Sequence, residues 1–156
     1  MLNQTSRRQL LKNGGLLGLI AAFGSAIAPR LAFAAWNKAA FDAKTVEETL
    51  KALGAGTPAN SADVQLTAPD IAENGAVVPL AVASSLPNVK QLVLLVEKNP
   101  NALVAVFNVT PEVDANFATR SKMGETSDVY AVAITADGKA HYAKKEVKVT
   151  LGGCGG

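Results

Sequence analysis

The chain has 156 residues, with 15 Lys and Arg against 13 Asp and Glu, and a formal net charge of +2. Four of the basic residues and no acidic residue lie within positions 1–34, so 11 basic and 13 acidic residues follow, a net charge of −2. This balance, without a basic cluster, excludes the electrostatic footprint of a nucleic-acid-binding protein. The remaining length is sufficient for one domain with a hydrophobic core.

Residues 1–34 predict a cleavable twin-arginine export signal. Arg7 and Arg8 stand in the segment Ser-Arg-Arg-Gln-Leu-Leu-Lys at 6–12, followed by an apolar stretch at 14–28 and Ala-Phe-Ala at 32–34. The apolar stretch is short for a membrane span, so we expect no stable membrane association. The prediction is a folded protein exported to a bacterial periplasm; an ordinary secretory signal with two arginines is the alternative.

Residues 35–61 are predicted to form an N-terminal helix and a linker. Thr45 and Glu48 have the spacing of a capping box, and Val46, Leu50 and Leu53 fall on one helical face. We interpret this helix, at 45–53, as a packing element. Glycines then end it, and residues 54–61 have the composition of a linker-like turn region.

Residues 62–151 are predicted to be an all-β domain. Strand patterns occur at 64–66, 76–85, 91–97, 103–109, 117–123, 129–135 and 141–151. Pro79 indicates a sheet edge or bulge, and Asp137-Gly138 indicates a hairpin. Because turns rather than helices separate the strands, we predict an immunoglobulin-like β-sandwich of about seven strands, preceded by one helix.

The chain closes with Gly152, Gly153, Cys154, Gly155 and Gly156, which we predict to be a mobile arm presenting a thiol. Cys154 is the only cysteine, so it cannot form an intramolecular disulfide. Two roles remain for Cys154, an intermolecular disulfide or a reactive free thiol. From position 152 to the cysteine, an extended chain reaches roughly 10 Å, so the body must dock before the thiol enters another protein's pocket.

The arm lacks the groups that would activate its thiol. An unassisted cysteine has a pKa of about 8.5, and no cation lies within residues 152–156. The only histidine, His141, falls in a strand pattern, where a surface strand residue is the simpler interpretation than a Cys–His dyad. One His and one Cys give too few ligands for a metal site. We therefore predict no catalytic residue, no metal and no cofactor, and a thiol activated by a partner enzyme.

Four segments resemble the SoxY family, the sulfur-carrier subunits of the bacterial Sox thiosulfate-oxidation system. They are Val-Lys-Val-Thr-Leu-Gly-Gly-Cys-Gly-Gly at 147–156, Pro-Asp-Ile-Ala-Glu-Asn-Gly-Ala-Val-Val-Pro at 69–79, Glu-Lys-Asn-Pro at 97–100 with Phe107 further on, and Thr-Arg-Ser-Lys-Met at 119–123. The resemblance covers essentially all of the chain after the export signal, and the cysteine-containing end is its most specific part.

The resemblance implies an immunoglobulin-like sandwich paired with a SoxZ-like subunit that lacks its own signal. It implies that Cys154 is the covalent attachment site and that residues 152, 153, 155 and 156 are the carrier arm. It further implies transient docking to a haem enzyme, SoxAX, to a hydrolase, SoxB, and to a sulfane dehydrogenase. The protein would then be a periplasmic carrier in thiosulfate oxidation and not itself an enzyme.

Two other classes remain open at the level of sequence. One is a periplasmic binding or structural module whose cysteine forms an interchain disulfide. The other is a thiol oxidoreductase, which would need a resolving thiol from elsewhere because the chain has no Cys-x-x-Cys pair.

Overall fold

The structure, a computed structural model, describes residues 36–151. Two short helices, α1 (Lys38–Asp42) and α2 (Val46–Ala52), come first. Nine strands follow: β1 (Ala59–Asn60), β2 (Val64–Thr67), β3 (Ile71–Ala72), β4 (Val78–Ser84), β5 (Val89–Val96), β6 (Leu103–Asn108), β7 (Asn116–Ser121), β8 (Ser127–Thr135) and β9 (Ala140–Val149). The predicted signal with Arg7 and Arg8, and the predicted arm with Cys154, lie outside the described residues.

The strands form two sheets, which confirms the predicted all-β, immunoglobulin-like sandwich. The larger sheet has the order β1-β9-β8-β5-β6, and β3 also pairs with β9; the smaller sheet has the order β2-β4-β7. The count is nine rather than about seven because β1 and β3 are only two residues each, too short to produce a periodic pattern. The sequence also missed α1, a five-residue helix.

Strand β5 is buried on both faces, which accounts for its continuous apolar run. Leu92, Leu94 and Val96 lie in the core between the two sheets. Val93 and Leu95 lie in a second core on the opposite face of the larger sheet, beneath the helices. A strand covered on both faces loses the apolar–polar alternation of a half-exposed strand.

Helix α2, predicted to be a packing element, packs on the outer face of the larger sheet. The Thr45 hydroxyl accepts a hydrogen bond from the Glu48 amide at 3.1 Å, and the Glu48 carboxylate accepts one from the amide of Lys44. Leu50, 2% exposed, belongs to the same core as Val93 and Leu95. No helix among the described residues has the length and apolar character needed to cross a membrane.

The predicted linker at 54–61 is wrong in part, because this segment is tied to the sandwich. Ala59 and Asn60 pair in parallel with His141 and Tyr142 of β9. The amide of Gly56 donates a 2.9 Å hydrogen bond to the carbonyl of Gly138. The stretch therefore belongs to the folded domain, and it brings the helices against the larger sheet.

The predicted hairpin and the position of Pro79 can both be compared with the structure. Gly138, at a φ of +81°, lies in the loop that joins β8 to β9, so the predicted hairpin is present. Pro79 lies on the central strand of the smaller sheet, although it was expected at an edge or a bulge. Pairing of β4 with β2 stops at Ala81, so Pro79 pairs only with Arg120 on β7 and is locally at an edge.

Candidate functional site

The described chain reaches Leu151, three residues before Cys154, and its final residues are fixed to neighbouring loops. The Val149 amide donates to the Thr126 hydroxyl at 3.0 Å. The Thr150 amide donates to the carbonyl of Ala72 at 3.1 Å, and its hydroxyl donates to the carbonyl of Glu73 at 3.0 Å. Backbone groups of β3 and the residues after it thus extend the pairing beyond the end of β9.

Gly75 connects this end of the chain to the loop that follows β7. Its amide donates to the carbonyl of Leu151 at 2.7 Å, and its own carbonyl accepts from the amide of Met123 at 2.7 Å. Gly75 and Met123 are both buried. We call this hydrogen-bonded set, formed by Ala72, Glu73, Gly75, Thr126, Thr150 and Leu151, the arm root.

An ion pair lies beside the arm root. Lys145 Nζ is 2.8 Å from Asp70 Oδ1 and donates a 2.8 Å hydrogen bond to the carbonyl of Ala68. The hydrogen bond from Lys145, followed by the charge of the same group, holds the pKa of Asp70 below its ordinary value. The backbone carbonyl of Asp70 also accepts a hydrogen bond from the amide of Lys148. Asp70 therefore binds β9 in two ways, through the side chain of Lys145 and through the backbone of Lys148.

His141 lies at the far end of β9 from the arm root. Thr150 is nine positions further along the chain, which corresponds to about 30 Å along a strand. Cys154 follows Thr150 by four residues and so extends at most about 14 Å beyond it. This geometry argues against an intramolecular Cys–His dyad. Within residues 36–151, no group of three or more His, Cys, Asp or Glu side chains is arranged to hold a metal ion.

Two clefts lie on the described domain. One cleft lies between α2 and the outer face of the larger sheet, where Leu50, Glu97, Tyr130 and Tyr142 are among its lining residues. Burial, followed by the nearby charge of Glu97, raises the pKa of Tyr130. The other lies on the outer face of the smaller sheet around Pro79 and Arg120. Neither of these two clefts is lined by a residue of the arm root.

Sequence reasoning identified the cysteine-containing end but missed what holds it. Thr150, Thr126 and Gly75 act mainly through backbone and hydroxyl hydrogen bonds, which leave no spacing pattern. The available signal was Asn74-Gly75, a turn dipeptide within one of the segments that carried the family resemblance. The Asn74 side chain accepts a 2.8 Å hydrogen bond from the Ala76 amide, as such turns do.

The fold and the arm root together define a β-sandwich protein whose last strand leads directly into a single-cysteine segment. The family model for the sulfur oxidation protein SoxY matches residues 50–154, more than half of the chain. The chain therefore belongs to the SoxY family. The matched range ends on Cys154, so it includes the cysteine as well as the sandwich.

A solved structure agrees with this assignment. The sulfur carrier protein SoxY from Chlorobium limicola f thiosulfatophilum is 36% identical, with a TM-score of 0.55, over 60% of this chain and 84% of that one. A superoxide reductase (neelaredoxin) from Ignicoccus hospitalis is 14% identical, with a TM-score of 0.50, over 55% of this chain and 78% of that one. The second likeness concerns the fold alone. A comparison with curated proteins finds no match.

Family and structural likeness support a sulfur-oxidation carrier role, which fits the prediction that the protein is not itself an enzyme.

Proposed function

We propose that the protein is a periplasmic covalent carrier in thiosulfate oxidation and that Cys154 holds the sulfur intermediates. The main support is the SoxY family match, which runs through the sandwich and ends on the only cysteine of the chain. The arm root adds a physical argument. It fixes the chain up to Leu151, three residues before Cys154, so the segment that carries the thiol leaves the domain at a defined point.

The proposed cycle attaches thiosulfate to the carrier and releases its sulfur as sulfate. The Cys154 thiolate and thiosulfate form an S–S bond with the loss of two electrons, which a SoxAX-like haem enzyme accepts. A SoxB-like hydrolase then adds water to the terminal sulfonate, releases sulfate and two protons, and leaves a persulfide anion on the carrier. Where a sulfane dehydrogenase is present, it accepts six electrons from the outer sulfur, while three waters supply the oxygen atoms and six protons are released, which leaves a sulfonate on the cysteine sulfur. Hydrolysis by the SoxB-like enzyme then releases sulfate and two protons and restores the thiolate. The carrier itself contributes attachment and presentation, and it needs no cofactor.

Activation of the thiol is assigned to the partner enzymes. A cysteine is nucleophilic as its thiolate, and a general base must lie within hydrogen-bond reach to generate it. His141 is too distant along β9 to serve, and residues 152–156 contain no cation. A carrier whose thiol becomes reactive only inside an enzyme pocket is also protected from unproductive oxidation between visits.

The proposal includes a second subunit and an export route. A SoxZ-like partner without a signal would be carried across the membrane as a folded complex by the twin-arginine signal at 1–34, in which Arg7 and Arg8 are the recognition residues. The enzymes would then bind transiently, because ordering the glycine-rich arm at each visit opposes tight association.

Intact-mass measurement of the protein purified from cells grown on thiosulfate tests the assignment. We expect adducts of added sulfur or sulfonate-capped sulfur on the C-terminal peptide, removed by reductant. Cys154→Ser should carry none, whereas His141→Ala should carry the same adducts as the wild type. A free thiol, or a homodimeric disulfide without sulfur adducts, would contradict the carrier proposal and favour the binding module with an interchain disulfide.

A further inference from the structure

The arm root carries an unusual share of the exposed apolar side chains of the domain. Five large hydrophobic side chains are exposed within residues 36–151. Leu151, at 67%, belongs to the arm root, and Ile71 at 56% and Val77 at 57% adjoin it. Single exposed hydrophobic residues are ordinary, but a group at one place marks an interaction surface. The remaining two, Trp36 and Val113, lie on other segments.

Backbone contacts bring these three side chains to one end of the sandwich. Ile71 pairs in register with Lys148 on β9. Leu151 is held by the amide of Gly75, and Val77 follows Gly75 by two residues. The amide of Val77 also makes a long hydrogen bond, 3.5 Å, to the carbonyl of Asn74. We call Ile71, Val77 and Leu151 the apolar collar.

Charged residues surround the collar. Glu73, Lys122 and Lys148 are exposed. Glu73 belongs to the arm root, Lys122 precedes Met123, whose amide donates to Gly75, and Lys148 pairs with Ile71. An apolar centre with a charged border is the usual composition of a protein–protein contact. The backbone beneath the collar is fixed by the hydrogen bonds of the arm root, so little conformational entropy is lost there when a partner binds.

We infer that the apolar collar is the surface on which the enzymes that act on Cys154 dock, each through an apolar rim around its active-site channel. This inference rests on the proposed function. The length of the chain after Leu151 selects this partner, because Cys154 lies at most roughly 11 Å beyond Leu151. A protein that takes the thiol into a channel must therefore cover the residues around the point where the segment leaves the domain.

The test compares enzyme-catalysed loading of collar variants with loading of a distant control. Ile71→Ser, Val77→Ser and Leu151→Ser are made singly and together, and Val113→Ser is the control. Val113 lies near Ala115, whose carbonyl accepts a hydrogen bond from the amide of Ser84 at the end of β4. Val78, next to the collar, begins β4, and the two ends of this strand are about 20 Å apart. Each protein, with its second subunit, is incubated with thiosulfate, the purified SoxAX-like enzyme and an excess of a one-electron acceptor that reoxidises the enzyme, and conjugation is followed by intact mass.

We expect the triple variant to raise the KM for the carrier by roughly tenfold or more, the scale of losing interface anchors, with a nearly unchanged kcat. The control should behave as the wild type. Alkylation of Cys154 by iodoacetamide should proceed at the wild-type rate in every variant, because a small reagent needs no docking surface. Thermal unfolding checks that the exposed substitutions leave the domain folded.

Each contrary outcome has a distinct meaning. If the wild type is loaded and the triple variant has the same KM as the wild type, the collar proposal is overturned and the carrier function stands. Loss of the second subunit from the triple variant, or a change in the number of copies of this chain, assigns the collar to subunit assembly and also overturns it. A wild type that accepts no thiosulfate overturns the proposed function, and the collar proposal with it.

Discussion

The amide of Gly75 and the carbonyl of Leu151 are joined by a 2.7 Å hydrogen bond, which ties the loop after β3 to the last residue before the glycine–cysteine segment. The carbonyl of Gly75 also accepts a hydrogen bond from the amide of Met123, so three stretches of chain meet at this residue. A flexible arm delivers its end group to a defined volume only if its attachment point is fixed. The arm root therefore determines where the segment containing Cys154 begins.

Thr150→Val should loosen this attachment while keeping the shape of the side chain. The substitution removes the 3.0 Å hydrogen bond to the carbonyl of Glu73, and a typical hydrogen bond contributes about 1 kcal/mol. Because Thr150 is exposed, we expect the free energy of unfolding to fall by no more than about 1 kcal/mol. Hydrogen exchange of the Gly75 and Thr150 amides should accelerate more than exchange in β8.

Thr67→Val is the matched control for that experiment. Thr67, the last residue of β2, is also an exposed threonine, and its hydroxyl makes no hydrogen bond to any other part of the described chain. It should leave exchange at the arm root unchanged. Equal acceleration in both variants would mean that the hydroxyl of Thr150 has no specific role in holding the chain end.

Leu50→Ala should detach α2 from the larger sheet. Leu50 is 2% exposed and packs with Val93 and Leu95 in the core beneath the helices. Truncation of a buried leucine costs about 2–5 kcal/mol, through lost apolar burial and the cavity that remains. Urea unfolding followed by circular dichroism measures the change. Lys51→Ala, on the exposed side of the same helix, should stay within about 0.5 kcal/mol of the wild type.

The sequence predicted the parts of this fold that local chemistry determines. The capping residues and apolar spacing of α2, the hairpin at Gly138 and the apolar strand β5 are all local signals. Strands β1 and β3 were not predictable in this way. Each has two residues, and each pairs with a part of β9 that lies more than seventy residues away. Their existence depends on tertiary contacts, which the periodicity of apolar residues in the sequence does not reveal.

The same distinction applies to the site. The lone cysteine among glycines is a compositional signal, so Cys154 could be singled out directly from the sequence. The arm root consists of backbone donors and acceptors brought together by β3 and β9, and any residue type supplies such groups. Ile71 and Val77 read as ordinary apolar strand residues, and only their exposure in the folded domain distinguishes them.

Asp70→Asn should reduce the dependence of stability on acid pH. The hydrogen bond and charge of Lys145 lower the pKa of Asp70 in the folded state, so the folded protein holds this carboxylate unprotonated more firmly than the unfolded chain does. The stabilisation is present above the unfolded pKa, about 3.9, and is lost as the pH falls through the lower folded value. Wild-type stability should therefore decrease more steeply below about pH 4 than that of the variant.

Urea unfolding at several pH values between about 2 and 6 measures this difference. Asp114→Asn is the control, because Asp114 is exposed and forms no salt bridge within residues 36–151. It should preserve the wild-type slope. Parallel pH profiles for the wild type and Asp70→Asn would show that the Lys145 pair, although close in the structure, makes no net contribution at this exposed site.

Gly153→Val should leave the domain intact and impair the use of Cys154 by partner enzymes. The residue lies outside the described sandwich, so the thermal midpoint should match that of the wild type. Valine restricts the backbone and adds a branched side chain beside the thiol, whereas glycine permits conformations closed to other residues. If the arm threads a narrow channel, conjugation with thiosulfate by the SoxAX-like enzyme should slow by roughly tenfold or more. Gly153→Ala, with a single added methyl group, should show a smaller loss, and alkylation by iodoacetamide should remain near the wild-type rate in both. Unchanged enzymatic conjugation of Gly153→Val would contradict threading and imply that the enzymes reach the thiol in an open cleft.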